Sequence, residues 1–193
     1  MRTRESGMPD EATWAAFFDP DRVLDALGLA PTASQIVDFG CGYGTFTAPA
    51  ARRTSGQVHA LNIDPQMVAT TLEHAQQAGL SNVRGIVRDF VAHGSGLPAG
   101  FAGFAMLFNL LHAECPETLL QEAWRVLKPD GILAVMHWRH DATTPRGPSM
   151  NIRPRPEQCR DWAVASGFEV LPPGILDLPP YHYGLALRKS TER

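Results

Sequence analysis

Three glycines in one short segment are the residues whose spacing best suits ligand chemistry. They follow an apolar stretch and alternate with other residues in the run Asp38-Phe39-Gly40-Cys41-Gly42-Tyr43-Gly44. Glycines allow a tight turn and let a ligand approach the backbone. A helix is predicted from about Thr45, and the free N–H groups at its start attract an anion. We therefore expect a small ligand at this loop rather than a glycine turn without one.

The glycine spacing also bears on which ligand binds. Dinucleotide-binding loops have the pattern G-x-G-x-x-G, whereas this loop has G-x-G-x-G, with Thr45 where the last glycine would fall. The chain also has no Tyr-x-x-x-Lys pair, so an NAD-dependent oxidoreductase is disfavoured. Cys41 is interpreted as a small residue in a tight loop rather than as a nucleophile.

Histidines and arginines supply the remaining candidate groups. His112 follows a predicted strand, and it is either a general base or a histidine that caps the local backbone. His137 and His140 lie three residues apart, but no third ligand is evident, so no metal is expected. Four arginines of a long loop either attract an anionic substrate or form a solvated surface: Arg139, Arg146, Arg153 and Arg155.

Short apolar segments alternate with amphipathic ones along most of the chain. Strands are predicted at residues 35–39, 57–63, 83–87, 104–108, 132–138, 168–171 and 183–187. Helices are predicted at 11–18, 21–27, 45–53, 65–78, 116–127 and 157–166, with a turn at 128–131. This order predicts an α/β fold. We expect a doubly wound, Rossmann-like sheet, mostly parallel with an antiparallel final strand, and helices on both faces.

Length and composition favour one globular domain over residues 1–193, with an N-terminal helical cap at 1–30 and a candidate lid loop at 139–156. A net charge of −3 without a basic stripe disfavours nucleic acid as a partner. The longest apolar stretch, residues 101–112, is too short to span a bilayer. Three widely spaced cysteines and the absence of an apolar leader segment favour a reducing, cytoplasmic setting.

Four further motifs follow the glycine loop. They are Ala60-Leu61-Asn62-Ile63-Asp64-Pro65, Arg88-Asp89-Phe90, residues 104–112, and Arg125-Val126-Leu127-Lys128-Pro129-Asp130-Gly131. In this order and spacing, the five motifs resemble those of class I S-adenosylmethionine-dependent methyltransferases. The resemblance covers about residues 30–140. It implies S-adenosylmethionine as the cofactor, and the lack of a basic stripe or an added domain favours a small-molecule acceptor.

The resemblance assigns the methionine portion of the cofactor to the glycine loop. Gly40, Cys41, Gly42 and Gly44 would lie against it. The carboxylate of Asp38 would hold the ammonium group, because a carboxylate suits a cation in a partly buried site. Asn109, just after the fourth strand, would offer its backbone carbonyl to the same ammonium group.

The resemblance assigns the adenosine portion to the ends of the second and third strands. Asp89 would accept a hydrogen bond from the adenine amino group, and the Phe90 N–H would donate to a ring nitrogen. Ile63 would pack on the adenine face, and Met67 would border it. Asn62 lies where the family usually has an acidic residue that grips both ribose hydroxyls, and an amide has only one acceptor oxygen.

Two departures from the family pattern bear on the activity. They are Asn62 and Ala105, which occupies a fourth-strand position where an acidic residue is common. Methyl transfer to a small molecule is the favoured function. Because of Asn62, a non-catalytic S-adenosylmethionine-binding sensor or partner subunit is the alternative. Neither the acceptor nor the oligomeric state follows from the sequence.

Overall fold

The computed structural model describes residues 9–190 of the chain. The strands are β1 (Gln35–Phe39), β2 (Gln57–Asn62), β3 (Val83–Val87), β4 (Ala102–Phe108), β5 (Leu127–Trp138), β6 (Phe168–Leu178) and β7 (His182–Lys189). The helices are α1 (Glu11–Ala15), α2 (Pro20–Ala26), α3 (Thr47–Arg53), α4 (Pro65–Gln77), α5 (Phe90–His93), α6 (Pro116–Val126) and α7 (Pro156–Ala165). Within residues 9–190, no helix has the length and apolar character needed to cross a membrane.

All seven strands form one sheet in the order β3-β2-β1-β4-β5-β7-β6. Strands β3, β2, β1, β4 and β5 pair in parallel, and β7 runs antiparallel to both of its neighbours, β5 and β6. The chain leaves β3 at one edge and returns through β4 beside β1, so the winding direction reverses between β1 and β4. Doubly wound sheets bind ligands at this reversal. The predicted fold is confirmed, including its antiparallel final strand.

Side chains of the central strands alternate between two hydrophobic clusters, one on each face of the sheet. On β4, Phe104 and Met106 belong to one cluster, while Ala105 and Leu107 belong to the other. The first cluster includes apolar residues of α2, α3 and α4, and the second includes those of α6 and α7. Burial on both faces explains why β1 and β4 are nearly continuous apolar runs.

The structure departs from the predicted elements in three places. Helix α5 has only four residues, too few to show a helical period in the sequence. Strand β6 runs on to Leu178, past the predicted end at 171. Residues 128–131, predicted as a turn, lie inside β5, where they bulge out between the ladder pairs Ala102–Leu127 and Phe104–Ile132. Small shifts at the ends of the other elements leave their order unchanged.

The first helices pack on the sheet through aromatic rings. The ring centroids of Trp14 and Phe17 lie 6.4 and 5.3 Å from that of Trp138. Phe18 contacts Phe46 at 5.2 Å between centroids. Phe17 is buried, whereas Trp14 and Phe18 are partly exposed. The predicted cap at 1–30 is helical in its described part, and residues 1–8 lie outside the described range.

Candidate active site

The glycine loop lies at the carboxyl ends of β1 and β2. The N–H groups of Gly40 and Cys41 both donate to the Leu61 carbonyl, at 2.8 and 2.9 Å. The three loop glycines have φ between 55° and 82°, a region that disfavours side chains. A Cβ on Gly40 would lie 3.2 Å from the Leu110 side chain. The positive φ therefore favours glycine at all three positions, and the close approach of Leu110 adds to this at Gly40.

Helix α4 supports the glycine loop with two side chains. The Thr71 hydroxyl donates to the Gly42 carbonyl at 3.0 Å, and a Cβ on Gly44 would lie 3.1 Å from Thr71. The His74 Nδ1 lies 2.9 Å from the Tyr43 carbonyl oxygen. Neither support was predicted from the sequence. The signal for them is two polar residues three apart, hence on one face of the helix that follows β2.

Asp38 places a carboxylate inside the protein beneath the loop. Its residue is 3% exposed, and its Oδ2 accepts a hydrogen bond from the Thr47 hydroxyl at 2.5 Å. Burial raises the pKa of this carboxyl to about 6, against the opposing effect of the Thr47 bond. Burial, and then the nearby Asp38, raise the pKa of the Cys41 thiol to about 12. Cys41 is therefore a thiol at neutral pH, which fits a packing role.

The end of β2 carries the residues predicted to meet the ribose and adenine. The Asn62 Oδ1 accepts from the Asp64 N–H at 3.0 Å. Asp64 in turn caps α4, because its Oδ1 accepts from the Gln66 N–H at 2.8 Å. Ile63 is 50% exposed, and Met67 is partly buried in the first turn of α4. The amide oxygen of Asn62 is thus already engaged with its own backbone turn.

Asp89 and Phe90 follow β3, whose last residue, Val87, pairs with Asn62. The Asp89 Oδ1 accepts from the Ala92 N–H at 2.9 Å and so caps α5. The Phe90 ring packs in the core against the Phe39 ring, with 5.4 Å between the two centroids. The predicted hydrogen bond to the adenine involves the backbone N–H of Phe90, not its ring. This N–H lies at the start of α5, at the edge of the sheet.

Asn109 turns the chain sharply after β4. Its φ is 57°, and its N–H donates to the Met136 carbonyl at 2.7 Å. Within residues 9–190, neither polar atom of its buried side-chain amide has a hydrogen-bond partner. Buried amides usually have partners, and residues other than glycine seldom adopt positive φ. Both features are unusual, and the predicted contact of the Asn109 carbonyl with the ammonium group stays a prediction.

A pocket of about 460 Å³ lies beside this turn. One wall comes from the segment after β4, including Leu111 and His112, and the other from residues 150–155 and from Trp162 of α7. Its charged lining residues have both signs: Glu114, Glu117, Arg153 and Arg155. Because Leu110 contacts Gly40 and the next two residues line the pocket, the segment 109–112 lies between the glycine loop and the pocket.

Two histidines meet at the inner side of the pocket. The His112 Nδ1 lies 3.2 Å from the His137 Nε2, and His137 is fully buried. Burial, and then the nearby His112, lower the pKa of His137 well below its ordinary value. His140 has a different partner, since its Nδ1 lies 2.8 Å from the Arg153 carbonyl oxygen. Within the described part of the chain, no three His, Cys, Asp or Glu side chains are grouped to hold a metal ion.

The loop between β5 and α7 folds around Arg153. This guanidinium donates to the carbonyls of Pro148 at 2.8 and 3.0 Å, Arg139 at 3.0 Å and Arg146 at 3.2 Å. A buried cation therefore anchors this loop in place of apolar residues. Arg139 forms an ion pair with Asp177, so neither it nor Arg153 is simply a solvated surface charge. A lid function for this loop stays a prediction.

Comparisons with known proteins agree with this geometry. Residues 36–131 match the family model described as a methyltransferase domain. The chain therefore contains a methyltransferase domain. The 24-methylenesterol C-methyltransferase 2 of Oryza sativa subsp. japonica is 27% identical over 174 residues, which are 83% of this methyltransferase chain and 48% of that protein. The chain therefore spans about half the length of this curated relative.

Solved structures share the fold of this methyltransferase. A SAM-dependent methyltransferase from Aquifex aeolicus superposes with a TM-score of 0.81 at 23% identity, over 93% of this chain and 94% of that one. The [4+2]-cyclase SpnF superposes with a TM-score of 0.77 at 20% identity, over 96% and 84%. The second neighbour has a name other than methyltransferase, so the fold alone does not determine the reaction.

The cofactor of the family is S-adenosylmethionine, and the residues at the sheet edge fit it. A buried carboxylate at Asp38 suits an ammonium group, and the glycine backbone leaves room for a ligand that a Cβ would fill. Within residues 9–190, the Asn109 amide is also a buried polar group without a hydrogen-bond partner, just after β4. The structure thus brings the predicted residues of β1, β2, β3 and β4 to one edge, and their contacts to the cofactor stay predictions.

Proposed function

We propose that this protein transfers the methyl group of S-adenosylmethionine to a small molecule bound in the pocket beside His112. A methyl group moves only between atoms that almost touch, so the donor and acceptor sites must adjoin. The segment 109–112 carries the proposal, because Leu110 contacts the glycine loop while Leu111 and His112 line the pocket. When bound, the cofactor supplies a methyl group on a positively charged sulfur.

The chain's own residues then bind the two reactants, orient them and exclude water from the site. In this proposal Asp38 holds the ammonium group and Asp89 accepts from the adenine amino group. The loop around Arg153 forms the outer wall of the acceptor pocket. Because the pocket lining has charges of both signs, a polar small molecule fits it better than a purely apolar one. Cysteine usage supports a cytoplasmic location, with Cys41 and Cys159 buried and unpaired.

Calorimetry with S-adenosylmethionine, S-adenosylhomocysteine and NAD tests the ligand. Gly44→Ala is the informative variant, because its Cβ would lie 3.1 Å from Thr71. Gly79→Ala is the matched control, since Gly79 also has positive φ but nothing lies within 4 Å of a Cβ there. We expect both adenosyl compounds to bind, NAD not to bind, and only Gly44→Ala to weaken binding. NAD binding without adenosylmethionine binding would refute the proposal.

A cofactor-binding protein without transferase activity is the second candidate. It is favoured by Asn62, whose single acceptor oxygen already accepts from the Asp64 N–H and so has one lone pair left for the two ribose hydroxyls. Incubation with methyl-labelled S-adenosylmethionine and a mixed metabolite extract separates the two candidates. Label in a small product supports transfer, whereas tight binding with no labelled product across extracts supports the sensor or partner subunit.

A further inference from the structure

The contact between His112 and His137 connects the pocket to a fully buried residue of β5. The Nδ1 of His112 and the Nε2 of His137 are 3.2 Å apart, and the ring planes are inclined at 71°. His112 lines the pocket, while His137 lies on β5 with no exposed surface. Two ring nitrogens at this distance share one proton, so one ring donates and the other accepts.

The backbone decides which ring donates. The His137 Nδ1 lies 3.3 Å from the Trp138 carbonyl oxygen. A carbonyl only accepts, so the His137 Nδ1 carries the hydrogen. A buried imidazole is neutral, so the other nitrogen of His137, Nε2, carries a lone pair and accepts. The proton between the rings therefore belongs to the His112 Nδ1.

We infer that His112 is the general base of methyl transfer, with its Nε2 as the proton acceptor, and that His137 is the residue that positions it. The inference rests on the proposed function. The Trp138 carbonyl fixes the His137 tautomer, and His137 in turn fixes the His112 tautomer. Neutral histidine has one lone-pair nitrogen, and this chain of contacts assigns it to the Nε2 of the ring that lines the pocket.

The proton balance follows from that assignment. An acceptor O–H or N–H gives its proton to the His112 Nε2 and gains the methyl group in its place. His112 then carries one positive charge, which replaces the charge lost from the sulfonium, until water takes the proton. Its Nδ1–H bond to the neutral His137 Nε2 becomes charge-assisted and hence stronger in that state. His137 thus stabilises the protonated base without exchanging a proton itself.

His140 is the rival base, because it also lines the pocket. Its Nδ1 lies 2.8 Å from the Arg153 carbonyl oxygen, so its Nε2 also carries the lone pair when the ring is neutral. The two histidines differ in their support, since His140 is held by the loop and His112 by the interior of the sheet. His140→Gln is therefore the variant to compare with His112→Gln.

Two-bond ¹H–¹⁵N correlation spectra of the full chain read the tautomers directly. Neutral histidine in water prefers hydrogen on Nε2, so the expected Nδ1–H form of both His112 and His137 departs from the default. Substitutions at each position assign the signals. Hydrogen on Nε2 of either ring in the wild-type protein would overturn the inference.

Two substitutions at His137 separate positioning from packing. His137→Gln keeps an acceptor for the His112 N–H, whereas His137→Leu fills similar space without one. We expect His112 to keep its Nδ1–H tautomer in His137→Gln and to lose it in His137→Leu. The same tautomer in both variants would show that His137 does not position His112. If His137→Leu does not fold, the wild-type spectra and His137→Gln still decide.

The transfer assay with labelled S-adenosylmethionine and the metabolite extract tests the base. We expect His112→Gln to lower the transfer rate about 10²- to 10⁴-fold and His140→Gln to lower it at least tenfold less. S-adenosylhomocysteine should bind both variants as it binds wild type. A wild-type rate in His112→Gln overturns the inference and leaves the proposed function standing. Failure of wild type to bind S-adenosylhomocysteine overturns the proposed function instead.

Discussion

The glycine loop and the loop after β5 lie at the same edge of the sheet but are held in place differently. Uncharged groups from neighbouring elements hold the glycine loop, namely the Leu61 carbonyl and the Thr71 hydroxyl. The second loop is wrapped around a single cation, Arg153. The first region is specified by backbone conformation and the second by one side chain. The two regions should therefore fail independently when they are mutated.

Arg153→Leu should have the largest effect. It leaves several loop carbonyls without their donor, and we expect a loss of about 4 kcal/mol in unfolding free energy or local opening of the loop. Urea denaturation and hydrogen exchange measure this. Arg155→Leu, an exposed neighbour, should stay within about 0.5 kcal/mol of wild type. Affinity for S-adenosylhomocysteine should change less than about twofold, and a larger loss would show that the two regions are coupled.

Asp38→Asn should act in the opposite direction on stability and binding. The folded-state pKa of about 6 lies above that of an unfolded aspartate. The ionised carboxylate therefore lowers the unfolding free energy above pH 6, and this cost disappears as the pH falls below 4. The variant should be more stable than wild type at pH 7.5, by up to about 3 kcal/mol. It should also bind S-adenosylmethionine about 10- to 100-fold more weakly.

The same substitution should remove a pH dependence. In wild type, protonation of Asp38 below pH 6 removes the charge that faces the ammonium group, so affinity should fall between pH 7.5 and 5. In Asp38→Asn the affinity should change little over that range. Calorimetry at the two pH values measures this. Parallel pH curves for the two proteins would separate Asp38 from ligand binding.

Asp89→Ala should weaken S-adenosylmethionine binding by about 2 kcal/mol, because the adenine amino group would lose its acceptor. It should also cost about 1 kcal/mol of stability, because Asp89 caps α5 through the Ala92 N–H. Asp64→Ala removes a comparable cap from α4 and serves as the control for cap loss alone. Equal binding losses in the two variants would contradict a direct adenine contact.

Asn62→Asp should have the smallest effect. A carboxylate keeps one oxygen for the Asp64 N–H and leaves a second for the ribose hydroxyls. We expect S-adenosylmethionine to bind about 1 kcal/mol more tightly. Calorimetry against wild type measures this, with Asn62→Ala as the partner variant. Weaker binding in Asn62→Asp would indicate that Asn62 serves the strand end and not the ribose.

The sequence predicts the glycine-loop region well because its requirements are local. A buried strand, alternating glycines and a following helix are contiguous along the chain, and the structure places Asp38 and Gly40 where the pattern predicts. Asn62 and Asp89 reach the same edge because parallel strands end together. Helix α3 begins at Thr47 and not at the predicted Thr45, because the third glycine still belongs to the turn.

The contacts around the pocket could not be predicted from the sequence because they join residues that are far apart along the chain. His112 and His137 are 25 residues apart, and nothing in the spacing indicates that their rings meet. The loop composition indicates no anchor, since the loop has no periodic apolar residues. Nothing in the sequence distinguishes Arg153 from the exposed arginines around it. Only the folded structure shows that its side chain is buried.

The aromatic residue on the pocket wall gives the protein an optical reporter of its own. Of the four tryptophans in the chain, only Trp162 lines this pocket. A compound that enters the pocket changes the polarity around that indole ring, and hence its fluorescence. A library of candidate acceptors can therefore be screened by emission alone, without a label and before any product has been identified.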